Sequence, residues 1–154
     1  MREDLHIAIV GVTGAVGDEM LKTLEKRHFP VNKLTALASE RSAGKTVLFR
    51  GEKVTVQVLN EKSFEGVDIA LFSAGGGTSK EFAPIAKASG AVVVDNSSTF
   101  RMDASVPLVI PEINAAEVAG HNGIIANPNC STIVTLMALY PLHRAFGVKR
   151  IFAS

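Results

Sequence analysis

The sequence predicts an α/β protein: a doubly wound, mostly parallel sheet that carries an antiparallel hairpin insertion. Three observations lead there. Short apolar runs suited to buried strands recur at residues 5–10, 34–38, 67–72 and 91–94. Helical periodicity fills most of the intervals, and strands alternating with helices build a parallel sheet covered on both faces. The residue stock agrees, since 47% of the chain is hydrophobic, 6% aromatic and 20% charged. A chain of 154 residues is about one domain long and buries a sizeable core.

The first strand, 5–10, starts almost at the N-terminus and leads into a glycine turn. Gly17, Met20, Leu21 and Leu24 then fall at i, i+3, i+4 and i+7, with Asp18, Glu19, Lys22, Glu25 and Lys26 on the other side, so an amphipathic helix follows. Residues 34–38 form the second strand. Alternation over 46–59 around Arg50-Gly51-Glu52-Lys53 predicts the hairpin. The third strand, 67–72, runs into Ser73-Ala74-Gly75-Gly76-Gly77 and a helix from about 79 to 88. The fourth strand, 91–94, ends in the polar stretch 95–99. Two further strands, 108–110 and 123–126, flank a short helix near 115–118. A helix over 131–145 follows, and residues 149–154 read as a strand that stops without a closing turn, as in a fold that continues. No repeat, low-complexity segment or linker interrupts the chain.

Charge and cysteine usage exclude several classes of function. With 16 basic and 15 acidic side chains there is no field to draw in nucleic acid or an anionic membrane. One cysteine cannot form an internal disulfide, so a reducing cytoplasm is the expected setting. No secretory signal precedes the first strand, and no apolar run approaches the ~20 residues that span a bilayer. The sequons at Asn96 and Asn129 therefore read as accidental. His6, His28, His121 and His143 show no metal-ligand spacing, so no metal is expected.

Gly11-Val12-Thr13-Gly14-Ala15-Val16-Gly17 lies between the first strand and the first helix, where a Rossmann-like fold holds a dinucleotide pyrophosphate. Gly11 allows the tight turn, Gly14 the approach of backbone to phosphate, and Gly17 close helix–strand contact. The helix N-terminus adds N–H donors. The spacing, G-x-x-G-x-x-G, departs from the usual G-x-G-x-x-G, but the strand before and helix after it are in place. At the end of the second strand, Glu40 suits a ribose 2′-hydroxyl, as in NAD, whereas Arg41 with Ser39 and Ser42 suits a 2′-phosphate. One acid against a base and two hydroxyls favours NADP. Ser73-Ala74-Gly75 ends the third strand on the same carboxyl edge; it reads either as room for the nicotinamide end or as an ordinary glycine-rich loop.

Cys130 stands in Asn127-Pro128-Asn129-Cys130-Ser131-Thr132, between the last buried strand and the last helix. A thiol at a helix start meets unpaired N–H groups and the positive end of the macrodipole, which favour the nucleophilic thiolate. The alternative is a buried, inert cysteine. Arg101, after the fourth strand, has a fork suited to phosphate or carboxylate, or to a surface ion pair. Asn129 suits an amide donor to a developing oxyanion and equally a helix cap. No histidine is an evident acid–base partner for the thiol.

These segments together resemble aspartate-semialdehyde dehydrogenase. The matches are Gly11 through Gly17, Ser39 through Lys45, Ser73-Ala74-Gly75-Gly76, Asp95 through Met102, Val109-Ile110-Pro111-Glu112-Ile113-Asn114 and Asn127 through Thr132, in order along almost the whole chain. The resemblance implies NADPH-dependent reduction of β-aspartyl phosphate to aspartate β-semialdehyde, with release of phosphate. That reaction serves lysine (through diaminopimelate), threonine and methionine biosynthesis. It implies that Cys130 forms a thioester, that Arg101 holds phosphate with Asn129 beside it, and that Thr13, Gly14, Ala15 and Val16 face the cofactor pyrophosphate. Arg41 and Ser42 would face its 2′-phosphate. It also implies a homodimer or tetramer at full length. On this reading residues 1–127 are the dinucleotide-binding domain, and 128–154 hold the catalytic-cysteine helix and the start of a substrate and dimerisation domain. The family's histidine base, its substrate-binding lysine and arginine and most of its dimer interface would then lie beyond this chain, leaving an incomplete, inactive fragment. N-acetyl-γ-glutamyl-phosphate reductase performs the same chemistry on another acyl phosphate, but usually has an aromatic residue and Pro-Thr after its cysteine, where this chain has Ser131-Thr132. A non-catalytic nucleotide-binding module is the alternative from another class.

Overall fold

The computed structural model describes residues 4–152. The elements are β1 (Leu5–Val10), α1 (Ala15–Lys26), β2 (Val31–Ala38), β3 (Thr46–Phe49), β4 (Glu52–Thr55), β5 (Gln57–Val58), β6 (Ile69–Phe72), α2 (Gly76–Ala88), β7 (Val92–Asp95), α3 (Pro111–Asn114), β8 (Ile124–Ala126) and α4 (Cys130–Phe146). Six strands form one sheet in the order β5-β2-β1-β6-β7-β8, and every pairing in it is parallel. The chain builds outward from β1 to one side, then returns to build the other, so the direction of winding reverses between β1 and β6.

Alternation along β1 assigns the two faces. Ala8 and Val10 join Phe64, Phe72, Ala83, Ala86 and Val93 in the core beneath α2, where the Phe64 and Phe72 rings stack at 5.8 Å. Ile7 and Ile9 join Val12, Leu21, Ala36 and Phe49 in the core beneath α1 and the hairpin. The central strands β1, β6 and β7 are buried on both faces and so read as continuous apolar runs. Each fully buried Phe or Ile contributes about 1.5–3 kcal/mol.

The hairpin of β3 and β4 is antiparallel as expected, with Phe49 opposite Glu52. Arg50 fastens its tip to the rest of the fold. The Arg50 N–H donates to the Glu25 carboxylate, and its guanidinium donates to the carbonyls of Phe29 and Val31.

Several expectations change. The second strand begins at Val31, three residues earlier than its apolar run. The hairpin ends at Thr55, and Gln57–Val58 leave it to pair with Leu37 and Ala38 at the edge of the main sheet. Residues 108–110 make one isolated bridge, Leu108 to Ala126, because Pro107 and Pro111 bracket them and leave no room for a ladder. Residues 149–152 form no strand, and Ala153 and Ser154 lie outside the described residues. Among the described residues no helix is long and apolar enough to cross a membrane.

Two predictions follow from backbone packing and from a half-buried imidazole. Gly11 has φ +86°, and a Cβ there would lie 2.6 Å from the Ser73 carbonyl oxygen, whereas Gly90 has φ +95° with open space around it. Gly90→Ala is expected to cost about 1–2 kcal/mol, the left-handed strain alone. Gly11→Ala is expected to cost at least about 1 kcal/mol more, because backbone must also part. Urea denaturation of both checks this; equal costs would contradict it.

His6 Nδ1 bonds the Gly66 carbonyl at 2.9 Å and so carries the proton, leaving Nε2 to accept from the Thr35 hydroxyl at 2.8 Å. Burial pushes the His6 pKa below its usual 6.5, with Lys33 adding to the fall, while the Gly66 bond and Asp68 oppose it. The unfolded chain therefore takes up this proton near pH 6.5 and the folded chain only at lower pH. Stability should fall as pH drops below 6.5. Thermal unfolding of wild type and His6→Gln between pH 8 and 5 measures this, and the slope should be shallower in the variant.

Candidate active site

The sheet delivers its carboxyl ends to one edge, and the singled-out segments lie there. Gly11 follows β1, Ser39 follows β2, Ser73 follows β6, Asn96 follows β7 and Asn127 follows β8. A cleft of about 640 Å³ opens at the reversal point. Of the expected cofactor residues, Gly11, Thr13, Gly14, Ser39, Arg41, Ser73 and Ala74 line it, together with Glu40. The Thr13 hydroxyl donates to Ser42 Oγ at 3.4 Å and ties the glycine turn to the Glu40–Ser42 turn.

Ala15, Val16, Gly17, Ser42 and Gly75 are not in the cleft wall. Gly17 is buried against the turn, where a Cβ would lie 2.6 Å from Val12 Cα. Val16 turns to the other side of α1, into a shallow apolar groove with Met20, Leu24 and Leu71. Gly75 caps α2 with φ +88°. The cleft also has walls that the sequence did not single out: Val58 and Leu59 on one side, Thr78 and Phe82 on the other. Thr78 and Phe82 stand at i and i+4 on α2, a spacing that shares one helix face and was the available signal.

The cleft fits a dinucleotide. Gly14 is the N-cap of α1 and offers no side-chain acceptor, so the first amides of that helix keep their donors for an anion. The apolar walls at Val58, Leu59 and Phe82 are suited to a flat heterocycle.

Cys130 is the first residue of α4 and is exposed. Asn129 caps the helix, its Oδ1 accepting from the N–H of Ser131 at 3.0 Å and of Thr132 at 3.4 Å. That leaves the Asn129 amide nitrogen as its outward donor. The thiol stands at the end of β8, three strand spacings from β1, or roughly 14 Å between strand axes.

Arg101 is half-buried and spans the loops after β7 and β8. Its Nε donates to the Asn127 carbonyl at 2.9 Å and its Nη2 to the Asn96 carbonyl at 3.1 Å. Beneath it Asp95 is wholly buried. The Asp95 carboxylate accepts from Ser79 Oγ and Ser97 Oγ, each at 2.7 Å, and from the Ser97 N–H at 3.0 Å. Thr99 Oγ1 donates to the Gly76 carbonyl at 2.9 Å, closing a link between the Arg101 loop and the start of α2. Farther along that loop, the Ser105 N–H and hydroxyl hold the Asp103 carboxyl below its usual pKa. The Asp95 anchor has no local signal, since an acid after an apolar strand reads as an exposed strand end.

The histidines stand away from this edge. His6 lies in β1 and bonds Gly66, His28 follows α1, His121 precedes β8 and accepts from the Gly123 N–H, and His143 is in the last turns of α4. Among the described residues no group of three or more His, Cys, Asp or Glu is arranged to hold a metal ion.

Residues 6–121 match the semialdehyde dehydrogenase NAD-binding domain. The aspartate-semialdehyde dehydrogenase of Bacillus subtilis is 56% identical over 154 residues, which is 100% of this chain and 44% of that protein. The crystal structure of Vibrio cholerae aspartate semialdehyde dehydrogenase II complexed with ASA superposes with a TM-score of 0.91 at 52% identity, over 96% of this chain and 49% of that one. The Candida albicans enzyme solved with NADP gives a TM-score of 0.74 at 25% identity, over 94% of this chain and 48% of that one. The chain thus spans under half the length of the relatives it matches. It belongs to the semialdehyde dehydrogenase family, carries that family's NAD-binding domain, and has aspartate-semialdehyde dehydrogenases as its relatives.

Proposed function

We propose that this chain supplies the cofactor cleft and the nucleophile for NADPH-dependent reduction of β-aspartyl phosphate to aspartate β-semialdehyde. The observation that carries the reading is an exposed thiol at the first residue of α4, on the same sheet edge as the glycine-lined cleft. The Cys130 thiolate attacks the acyl carbon. A C–S bond forms, the bond from carbon to the phosphate oxygen breaks, and inorganic phosphate leaves. Arg101 takes the departing phosphate through the part of its fork not spent on the Asn96 and Asn127 carbonyls. The Asn129 amide, fixed by the helix cap, donates to the oxyanion. Bound NADPH supplies the hydride that turns the thioester into the aldehyde as the C–S bond breaks and the thiolate returns.

Within the cleft, the α1 amides and Gly14 hold the pyrophosphate, and Leu59 and Phe82 bracket the adenine. Preference for NADP over NAD rests on Arg41, helped by Ser39 and Ser42, with Glu40 as the opposing group. The relative solved with NADP supports that choice. Residues 1–127 form the dinucleotide domain, and 128–154 begin a second one. In support, α4 buries no residue and exposes Val134, Met137, Leu142 and Phe146 around its circumference, apolar surface suited to cover by further protein and by a second subunit of a cytoplasmic homodimer or tetramer.

Two measurements test this. Cys130 should react with iodoacetamide at pH 7 about tenfold faster than free cysteine, because its exposed thiol opens a helix, where the aligned backbone dipoles favour a nucleophilic sulfur. A rate equal to free cysteine would favour the non-catalytic nucleotide module instead. In fluorescence titrations, Arg41→Ala should weaken NADPH binding by about 10- to 100-fold and NADH binding by less than about threefold, since only the 2′-phosphate loses its cation. Equal losses for the two cofactors would remove Arg41 from the 2′-position.

A further inference from the structure

Asn96 links the end of β6 to the loops after β7 and β8. Its N–H donates to the Phe72 carbonyl at 3.0 Å, just ahead of Ser73. Its own carbonyl accepts from Arg101 Nη2 at 3.1 Å, and its side-chain Oδ1 accepts from Asn127 Nδ2 at 2.9 Å. Asn127, three residues before Cys130, is held in turn by its main chain: its N–H donates to the Asp95 carbonyl at 2.8 Å, and its carbonyl accepts from Arg101 Nε at 2.9 Å. Two donors of the guanidinium therefore rest on two carbonyls, and one side-chain amide pair fixes the spacing of those carbonyls.

We propose that Asn96 is a positioning residue: its amide, paired with that of Asn127, sets the Arg101 guanidinium relative to the Cys130 thiol. The proposal rests on the reading of Arg101 as the phosphate holder and adds what keeps it in place. The main-chain bonds from Asn96 to Phe72 and from Asn127 to Asp95 keep the strands in register without the side-chain pair. The pair is thus spare to the sheet and acts on the loops above it. Without it, Asn127 Nδ2 loses its acceptor, the two carbonyls separate, and the fork that rests on them turns. A shift near 1 Å in a positioned group is enough to cost about 100-fold in the step it serves. The cleft between Gly11, Gly14 and Arg41 takes no part in the pair and should be unaffected.

The test compares Asn96→Ala, Asn127→Ala and the double variant in the whole chain. Iodoacetamide alkylation of Cys130 is followed against increasing inorganic phosphate, with NADPH affinity measured by fluorescence alongside. Each single substitution should raise the phosphate concentration that gives half-protection about tenfold. The double variant should be no worse than either single, since both remove one interaction. NADPH affinity should stay within about twofold. A phosphate response in Asn96→Ala equal to wild type overturns the proposal, as do additive effects or a matching loss of NADPH affinity, which would mean general loosening. Should one single variant fail to fold, the other carries the same comparison. Absence of phosphate protection in the wild type would instead overturn the phosphate role of Arg101, and the positioning of it by Asn96 with it.

Discussion

Six strands running the same way are the constraint on which the rest depends. Parallel pairing requires a crossover for each strand, and crossovers returning over both faces bury the sheet twice, hence the two separate apolar cores. The same direction sends every strand's carboxyl end to one edge. Residues as far apart in sequence as Gly11, Ser73, Asn96 and Cys130 share that edge only for that reason. At the reversal point β1 and β6 lie side by side, and their exits approach so closely that the Gly11 position has no space for a Cβ against the Ser73 carbonyl.

Above that edge the loops are tied by polar groups, because the apolar core ends where the strands do. A wholly buried carboxylate, Asp95, receives three hydrogen bonds from two elements and replaces the water it has lost. It fastens the start of α2 to the loop that carries Arg101. Arg101 and the Asn96–Asn127 pair extend the tie to the segment before Cys130. The chain thus has a run of hydrogen bonds from the start of α2, beside the nucleotide cleft, to Asn127, three residues ahead of its one thiol.

The local signals were the legible ones. The apolar runs gave β1, β6 and β7 within one or two residues, and the glycine turn and cysteine motif stood between a strand and a helix as the spacing implied. What escaped was set by distant partners. Gln57–Val58 look like the tail of a hairpin, and only their pairing with Leu37 and Ala38 makes them a strand. Gly76 and Gly77 are poor helix formers, yet α2 starts at Gly76 because its end is clamped by Thr99 and by the Asp95–Ser79 bond. Leu108 has the residue type for a strand but prolines on both sides. Asn96 read as one polar residue among several, since nothing local says that its amide meets Asn127, 31 residues away.

Mapping NADP⁺ onto the folded chain by amide chemical shifts tests the central claim most directly, because it asks which edge of the parallel sheet receives the ligand. The account predicts shifts at Gly11, Thr13, Gly14, Glu40, Arg41 and Ala74, with Leu59 and Phe82 moving as well, all around the carboxyl-edge cleft. Shifts centred on the opposite edge, near His6, Gly66 and Gly90, or none at millimolar nucleotide, would contradict it.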